Sequence, residues 1–144
     1  MANTLPHAVL FVCNLNTIRS PMAEGLMARR FAKRIWTRSC GVRPGEEVDG
    51  FAVAVMDELG VDISKHRPAG FSDLDDMNFD LIITLSPEAH HRALELTRTI
   101  AADVEYWPTY DPSAAQGSRE QRLGEYRAVR DALDARIAQR FAED

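Results

Sequence analysis

The chain has few cysteines, no long apolar run and no excess of positive charge, and each shortage excludes a class of protein. Two cysteines in 144 residues, Cys13 and Cys40, are too few for a disulfide framework or a cysteine-based metal site. No apolar run approaches the roughly 20 residues that span a membrane. A net charge of -5 argues against nonspecific nucleic-acid binding. We therefore expect a soluble cytoplasmic protein with neither nucleic acid nor membrane among its partners.

The remaining composition, 45% hydrophobic and 27% charged, is typical of one globular domain over residues 1–144. Hydrophobic patterning predicts strands at 7–13, 36–41, 79–85 and 104–107. Helices are expected at 21–34 and 50–59, from 86 into the late nineties, and from 118 onward. Strands that alternate with helices pair in parallel through right-handed crossovers. The predicted fold is α/β, a four-stranded parallel sheet with helices on both faces.

A cysteine stands six positions before an arginine, Cys13 and Arg19, between the first strand and the first helix. Backbone N–H groups of such a loop can surround a tetrahedral oxyanion, and a planar guanidinium can hold two of its oxygens. The helix N-terminus and the arginine would also favour the thiolate form of the cysteine. Ser20 suits the helix N-cap and Pro21 the first helical position. The motif predicts a loop that binds an oxyanion and attacks it.

A thiolate that attacks such a centre needs an acid to protonate the leaving oxygen. Asp111 is the best candidate, because it follows the last strand and should lie at the same sheet edge as Cys13. Pro112 would stiffen its loop. Adjacent His90 and His91 would face different sides of a helix and do not suggest a metal site. We predict no metal and no cofactor.

These residues resemble the low molecular weight protein tyrosine phosphatases, which share their fold with the thioredoxin-coupled arsenate reductases. The resemblance covers nearly the whole chain. It rests on Cys13, Asn16, Arg19, Ser20, Pro21, Ala23, Glu24, Ser39, Cys40, Gly41, His66, the run 79–82, Asp111 and Pro112.

The resemblance implies a role for each matching residue. Cys13 would be the nucleophile, Arg19 the phosphate clamp, and Asp111 first the acid and then the base. The whole phosphate-binding loop would comprise Cys13, Asn14, Leu15, Asn16, Thr17, Ile18, Arg19 and Ser20. A supporting hydrogen-bond network would comprise Asn16, Ser20, Ser39 and His66.

Two positions in the loop depart from the family pattern. Leu15 replaces a usual glycine and would be strained if the loop required a positive φ there. Ile18 replaces a frequent second cysteine, so a protective disulfide within the loop is not expected. Whether Cys40 could pair with Cys13 instead depends on geometry that the sequence does not define.

The main interpretation is a cysteine-dependent phosphatase that hydrolyses aryl phosphates, with phosphotyrosine proteins or small aryl phosphates as substrates and inorganic phosphate or arsenate as ligands. The first alternative is an arsenate reductase. Helix and C-terminal segments resemble that branch, but Ser86 follows Thr84-Leu85 where the reductases carry a relay cysteine, so an external thiol or redoxin would be needed. The second alternative is a phosphate-binding module without catalysis.

Overall fold

The computed structural model describes residues 5–142. The strands are β1 (Ala8–Cys13), β2 (Trp36–Gly41), β3 (Leu81–Thr84) and β4 (Asp103–Tyr106). The α-helices are α1 (Arg19–Phe31), α2 (Gly50–Asp57), α3 (Pro87–Leu96) and α4 (Arg119–Arg140), and short 3-10 helices form at Phe71–Asp73 and Pro112–Ala114. Within 5–142, no helix is long and apolar enough to cross a membrane.

The strands form one parallel sheet in the order β2-β1-β3-β4, which confirms the predicted sheet. Strand β1 is central, and its last residue, Cys13, pairs with Gly41 of β2. The chain leaves β1 to add β2 on one side and later adds β3 on the other side. This reversal opens a crevice at the carboxyl end of β1, where parallel sheets commonly bind their ligands.

Helices cover both faces of the sheet, as predicted. Alternate residues of β1, including Phe11 and Cys13, pack into a core with α1, α2 and α4. The intervening residues, including Leu10 and Val12, pack with α3 on the opposite face. Because strand side chains alternate between faces, this division also decides which face each cysteine occupies.

The start of α1 differs from the sequence-based prediction. The helix begins at Arg19, and its N-cap is Ile18, whose side chain forms no capping hydrogen bond. Ser20 therefore lies inside the first turn, and its hydroxyl faces the thiol of Cys13 instead of the helix N-terminus. The prediction of Ser20 as the N-cap was wrong, because the tight loop carries helical geometry two residues closer to the strand than the Ser-Pro signal indicates.

Helix α2 begins and ends with clear local signals. The side chain of Asp49 caps it by accepting hydrogen bonds from the N–H groups of Phe51 and Ala52. The helix ends at Asp57, two residues before the predicted end, and Gly60 follows with a φ of +75°. A glycine adopts this left-handed conformation without a steric penalty, so it turns the chain away from the helix.

Candidate active site

The thiol of Cys13 lies at the carboxyl end of β1 at the base of a surface cavity, and the residue is only 2% exposed. Its Sγ atom is 2.9 Å from Oγ of Ser20 and accepts a hydrogen bond from the N–H of Asn16 at 3.3 Å. Both groups are able to donate to a sulfur anion. The loop therefore provides two donors for a thiolate at this position.

Asn16 organises the loop and, unlike Leu15, adopts a positive φ. Its φ is 58°, and it is the single non-glycine residue with a positive φ among residues 5–142. Asparagine tolerates this left-handed region better than most residues. Because Leu15 itself does not adopt a positive φ, leucine in place of the usual glycine is not strained in this way. The fully buried Asn16 side chain donates to Oγ of Ser20 at 2.7 Å and to Oγ of Ser39 at 3.0 Å.

The other end of the Asn16 side chain is held from a second loop. Its Oδ1 accepts from the N–H of Ala69 at 2.9 Å and lies 3.1 Å from Nε2 of His66. The same Nε2 is 3.0 Å from the backbone oxygen of Asn16, so it faces two acceptors and must carry the proton. Burial lowers the pKa of His66, which favours this neutral ring. The structure brings together the four predicted members of the network.

Glu24 is a further member of this network that the sequence-based prediction left out. Its Oε1 accepts a hydrogen bond from Oγ of Ser39 at 2.5 Å and lies 3.9 Å from Nδ1 of His66. Burial raises the pKa of Glu24, although the Ser39 hydrogen bond and the charge of Arg38 oppose that rise. Sequence patterns within α1 could not reveal this role, because its partner Ser39 comes from the neighbouring strand.

Arg19 links the phosphate-binding loop to the loop after β4. It is 7% exposed, its NH1 donates to the backbone oxygen of Thr109 at 3.0 Å, and its NH2 lies 3.9 Å from Oδ2 of Asp111. The Asp111 carboxylate is half-exposed and accepts from the N–H of Ser113 at 3.0 Å. The structure thus brings Cys13, Arg19 and Asp111 to one cavity, as their sequence positions predicted.

The segment after β2 supports the phosphate-binding loop through its backbone. Four backbone oxygens of that loop accept hydrogen bonds from this segment at 2.8 to 3.1 Å: those of Cys13, Asn14, Leu15 and Thr17 accept from the N–H groups of Val42, Arg43, Gly45 and Asp49, respectively. A Cβ atom on Gly41 would lie 2.8 Å from backbone atoms of Asn14, Leu15 and Asn16. The close approach of the two segments therefore requires glycine at that position.

Asp49 and Tyr126 connect this support to the terminal helix. The hydroxyl of the buried Tyr126 donates to Oδ2 of Asp49 at 3.1 Å, while Oδ1 of Asp49 caps α2. Burial and the neighbouring negative charge of Asp49 raise the pKa of Tyr126. No local sequence signal pairs Tyr126 with Asp49, because the two residues lie 77 positions apart.

The cavity has a volume of about 390 Å³ and a predominantly aliphatic and polar lining. Among the described residues, the lining contains no aromatic side chain: it consists of Cys13, Asn14, Leu15, Thr17, Ile18, Arg19, Arg43, Asp49, Asp111 and Ser113. Tyr110 neighbours Asp111 in sequence but lines a separate groove with Trp107 and α4. The walls therefore offer no ring to stack on an aryl group.

Cys40 lies on the other face of the sheet from Cys13. It packs with Val12 and Leu10 in the core under α3, whereas Cys13 packs in the core under α1. Burial is the main cause of a raised pKa for the Cys40 thiol. A disulfide between Cys13 and Cys40 would need two side chains that point to opposite faces to meet, which the sheet geometry does not permit.

Ser86 takes a structural role at the start of α3. Its hydroxyl donates to Oδ1 of Asn14 at 2.6 Å and accepts from the N–H of Ala89 as the helix cap. It thereby connects β3 and α3 to the phosphate-binding loop. Residues 5–142 contain no group of three or more histidine, cysteine or acidic side chains arranged to hold a metal ion.

Comparison with known proteins identifies the family. Residues 8–143 match the family described as low molecular weight phosphotyrosine protein phosphatase. The chain belongs to this family. The family assignment confirms the resemblance noted in the sequence.

Similar curated proteins are named for an activity other than that of a phosphatase. The protein is 32% identical to the arsenate reductase of Bacillus licheniformis over 94% of each chain. It is 31% identical to the glutaredoxin arsenate reductase of a Synechocystis species, covering 94% of this chain and 96% of the relative.

Solved structures of arsenate reductases and of phosphatases share the fold of this chain. A structure described as an arsenate reductase in the phosphate binding state is 30% identical and has a TM-score of 0.72, with 94% of this chain and 96% of that chain covered. The low molecular weight protein tyrosine phosphatase of T. tengcongensis is 27% identical, with a TM-score of 0.76 and coverage of 92% and 95%.

The main interpretation from the sequence, a phosphatase that hydrolyses aryl phosphates, was wrong. Four relatives that are 31–32% identical over 94% of this chain are named as arsenate reductases. The motif of Cys13, Arg19 and Asp111 is compatible with both activities, and therefore could not separate them. The findings favour the alternative interpretation, in which the same oxyanion-binding loop accepts arsenate.

Proposed function

We propose that this protein is an arsenate reductase that obtains its electrons from an external thiol. The surroundings of the nucleophile support it above other observations: among residues 5–142, no aromatic side chain lines the cavity of Cys13, and the second cysteine faces away from it. Arsenate and phosphate have the same tetrahedral shape, so a loop built for one accepts the other. The names of the relatives support arsenate as the substrate.

In the first step, the Cys13 thiolate attacks the arsenic of a bound arsenate. An S–As bond forms, one As–O bond breaks, and Asp111 donates the proton that lets the departing hydroxide leave as water. Arg19 holds two of the remaining oxygens, and the loop N–H groups hold the third. Arsenic is still As(V) in the resulting adduct.

In the second step, an external thiolate attacks Sγ of Cys13. A disulfide forms between the two sulfurs, and the electron pair of the broken S–As bond stays on arsenic, which leaves as arsenite. A second thiol then attacks the outer sulfur of the mixed disulfide and restores Cys13. The balance is one arsenate and two thiols converted to one arsenite, one disulfide and one water.

Ser86 and Cys40 explain why the thiol must come from outside. Ser86 forms no disulfide, and its hydroxyl is engaged with Asn14 and the cap of α3. Cys40 is buried on the opposite face of the sheet. The described chain therefore offers no second thiol on the side of the sheet that carries Cys13.

The test is arsenite production by purified protein with arsenate and either glutathione alone or glutathione with glutaredoxin. Arsenite formation that requires both thiol and Cys13, and that is lost in Cys13→Ser, is expected. Cys40→Ala is the matched control, because it removes the other thiol and should leave turnover intact. Absence of arsenite with every thiol donor, from protein that still binds phosphate, would refute the proposal.

A further inference from the structure

The cavity carries a second cation, Arg43, that the reaction at Cys13 does not use. Arg43 and Arg19 are the basic residues among the described residues of the lining. The guanidinium of Arg19 is already engaged by Thr109 and lies beside Asp111. Arg43 instead lines the cavity at its mouth, where its side chain is 68% exposed.

The position of Arg43 is fixed relative to the phosphate-binding loop. Its own N–H donates to the backbone oxygen of Asn14 at 2.8 Å, and the N–H of Val42 donates to the backbone oxygen of Cys13 at 3.1 Å. The base of the side chain is therefore attached to the segment that carries the nucleophile. A molecule held by the guanidinium would therefore lie at the edge of the cavity that contains Cys13.

The charges around the entrance favour an anion on the Arg43 side. Asp49 and Asp111 line the same cavity and would repel a carboxylate that approaches from their side. The Arg43 guanidinium already holds one exposed carboxylate, that of Glu88, with NH2 3.1 Å from Oε2. Because Glu88 is itself half-exposed, an incoming carboxylate can replace it at the arginine.

We propose that Arg43 forms a docking site for the carboxylate of an anionic low-molecular-weight thiol, which it directs onto the Cys13 adduct. This inference rests on the proposed function and adds the class of electron donor. Glutathione, which carries two carboxylates and one ammonium group, is the probe for this class, and 2-mercaptoethanol is the uncharged comparison.

The first experiment measures kcat/KM for each thiol at saturating arsenate, in the wild type and in Arg43→Ala. The quantity of interest is the ratio of the glutathione value to the 2-mercaptoethanol value. An exposed ion pair of up to about 1 kcal/mol corresponds to a decrease of this ratio by about two- to fivefold. The decrease should shrink at high salt, because ions screen exposed charges.

A variant at Glu88 should change the ratio of the two kcat/KM values in the opposite direction. Glu88→Gln removes the carboxylate that competes for Arg43, so the same ratio should rise. The double variant with Arg43→Ala should behave as Arg43→Ala alone, since Glu88 acts through the arginine. Arg98→Ala is the matched control, because it removes an exposed arginine near the opposite end of α3, outside the cavity lining. An unchanged ratio in Arg43→Ala, or the same decrease in Arg98→Ala, would overturn the proposal.

A second measurement does not depend on arsenate. The Cys13 thiolate attacks oxidised glutathione, forms a mixed disulfide and releases one glutathione thiolate, and mass spectrometry follows the rate. Arg43→Ala should slow this exchange relative to exchange with uncharged bis(2-hydroxyethyl) disulfide, again by about two- to fivefold. If arsenate is not reduced but this selectivity is present, the proposed function fails and the docking site stands. Equal slowing with both disulfides rejects the docking site, whatever the outcome with arsenate.

Discussion

Replacement of Gly41 by alanine tests whether the spacing between β2 and the phosphate-binding loop controls the chemistry. The new Cβ would lie 2.8 Å from backbone atoms of Asn14, Leu15 and Asn16, about 0.6 Å short of the 3.4 Å at which ordinary contact begins. None of these atoms belongs to a flexible side chain that could move aside. The loop itself must shift, and it carries the Cys13 sulfur and the N–H groups that surround the oxyanion.

This displacement should lower both the stability of the fold and the rate of the reaction. Crowding of a packed site costs about 1–3 kcal/mol, which lowers Tm by roughly 3–9 °C for a chain of this size. A misplacement of about 1 Å at a reacting centre can reduce the rate about 10²-fold, so a shift of half that size should reduce arsenate turnover about tenfold. The loss of activity should therefore exceed what the loss of folded protein explains at 25 °C.

The assay combines arsenite production, the rate of Cys13 alkylation by iodoacetamide, and thermal unfolding. Gly124→Ala is the matched control, because the Cβ position meets no atom within 4 Å apart from the helix's own nearby backbone, at an exposed site in the second turn of α4. That substitution should raise stability by up to about 1 kcal/mol, since alanine is the better helix former. Unchanged turnover and unchanged alkylation in Gly41→Ala would refute the reasoning.

Three further predictions concern residues around the same loop. Tyr126→Phe removes the hydrogen bond to Asp49 and should lower the free energy of unfolding by about 1–3 kcal/mol in urea titrations; an unchanged midpoint would contradict this. Cys40→Ala should leave the yield of arsenite per thiol unchanged, and detection of a Cys13–Cys40 disulfide in the wild type by mass spectrometry would contradict the opposite placement of the two thiols. Burial raises the pKa of Glu24 above its ordinary 4.5, so the folded state binds its proton more tightly, and this stabilising contribution is lost as pH rises from 4.5 through the folded pKa. Glu24→Gln should therefore gain stability relative to the wild type as pH increases over that range, and a difference in unfolding free energy that stays constant with pH would exclude this linkage.

Local signals were sufficient to predict the sheet and the reactive loop. The apolar run of β1, the spacing between Cys13 and Arg19, and Pro21 after the loop all lie within one short segment, so neighbouring residues decide their structure. The alternation of strands and helices then leaves few possible topologies. The position of Asp111 after the last strand placed it at the correct edge for the same reason.

The same local reasoning failed where a residue's partner is remote in sequence. The Ser-Pro pair indicated a helix cap at Ser20, but the hydroxyl faces Cys13, because the loop closes around the sulfur. Substitution of the usual glycine by Leu15 suggested strain, yet Asn16 takes the positive φ. Sequence reasoning also favoured the wrong activity, since a phosphatase and a reductase of this family use the same cysteine, arginine and aspartate.

The sequence by itself determined the α/β architecture and the oxyanion-binding loop, because hydrophobic periodicity and the spacing within one loop are local properties. Only the tertiary structure decided the surroundings of that loop. Strand register put Cys40 on the opposite face from Cys13, and the close approach of two segments required Gly41. The path of the chain after β2 brought Arg43 to the cavity mouth. These features depend on which distant backbone atoms meet, and packing of the whole chain determines that.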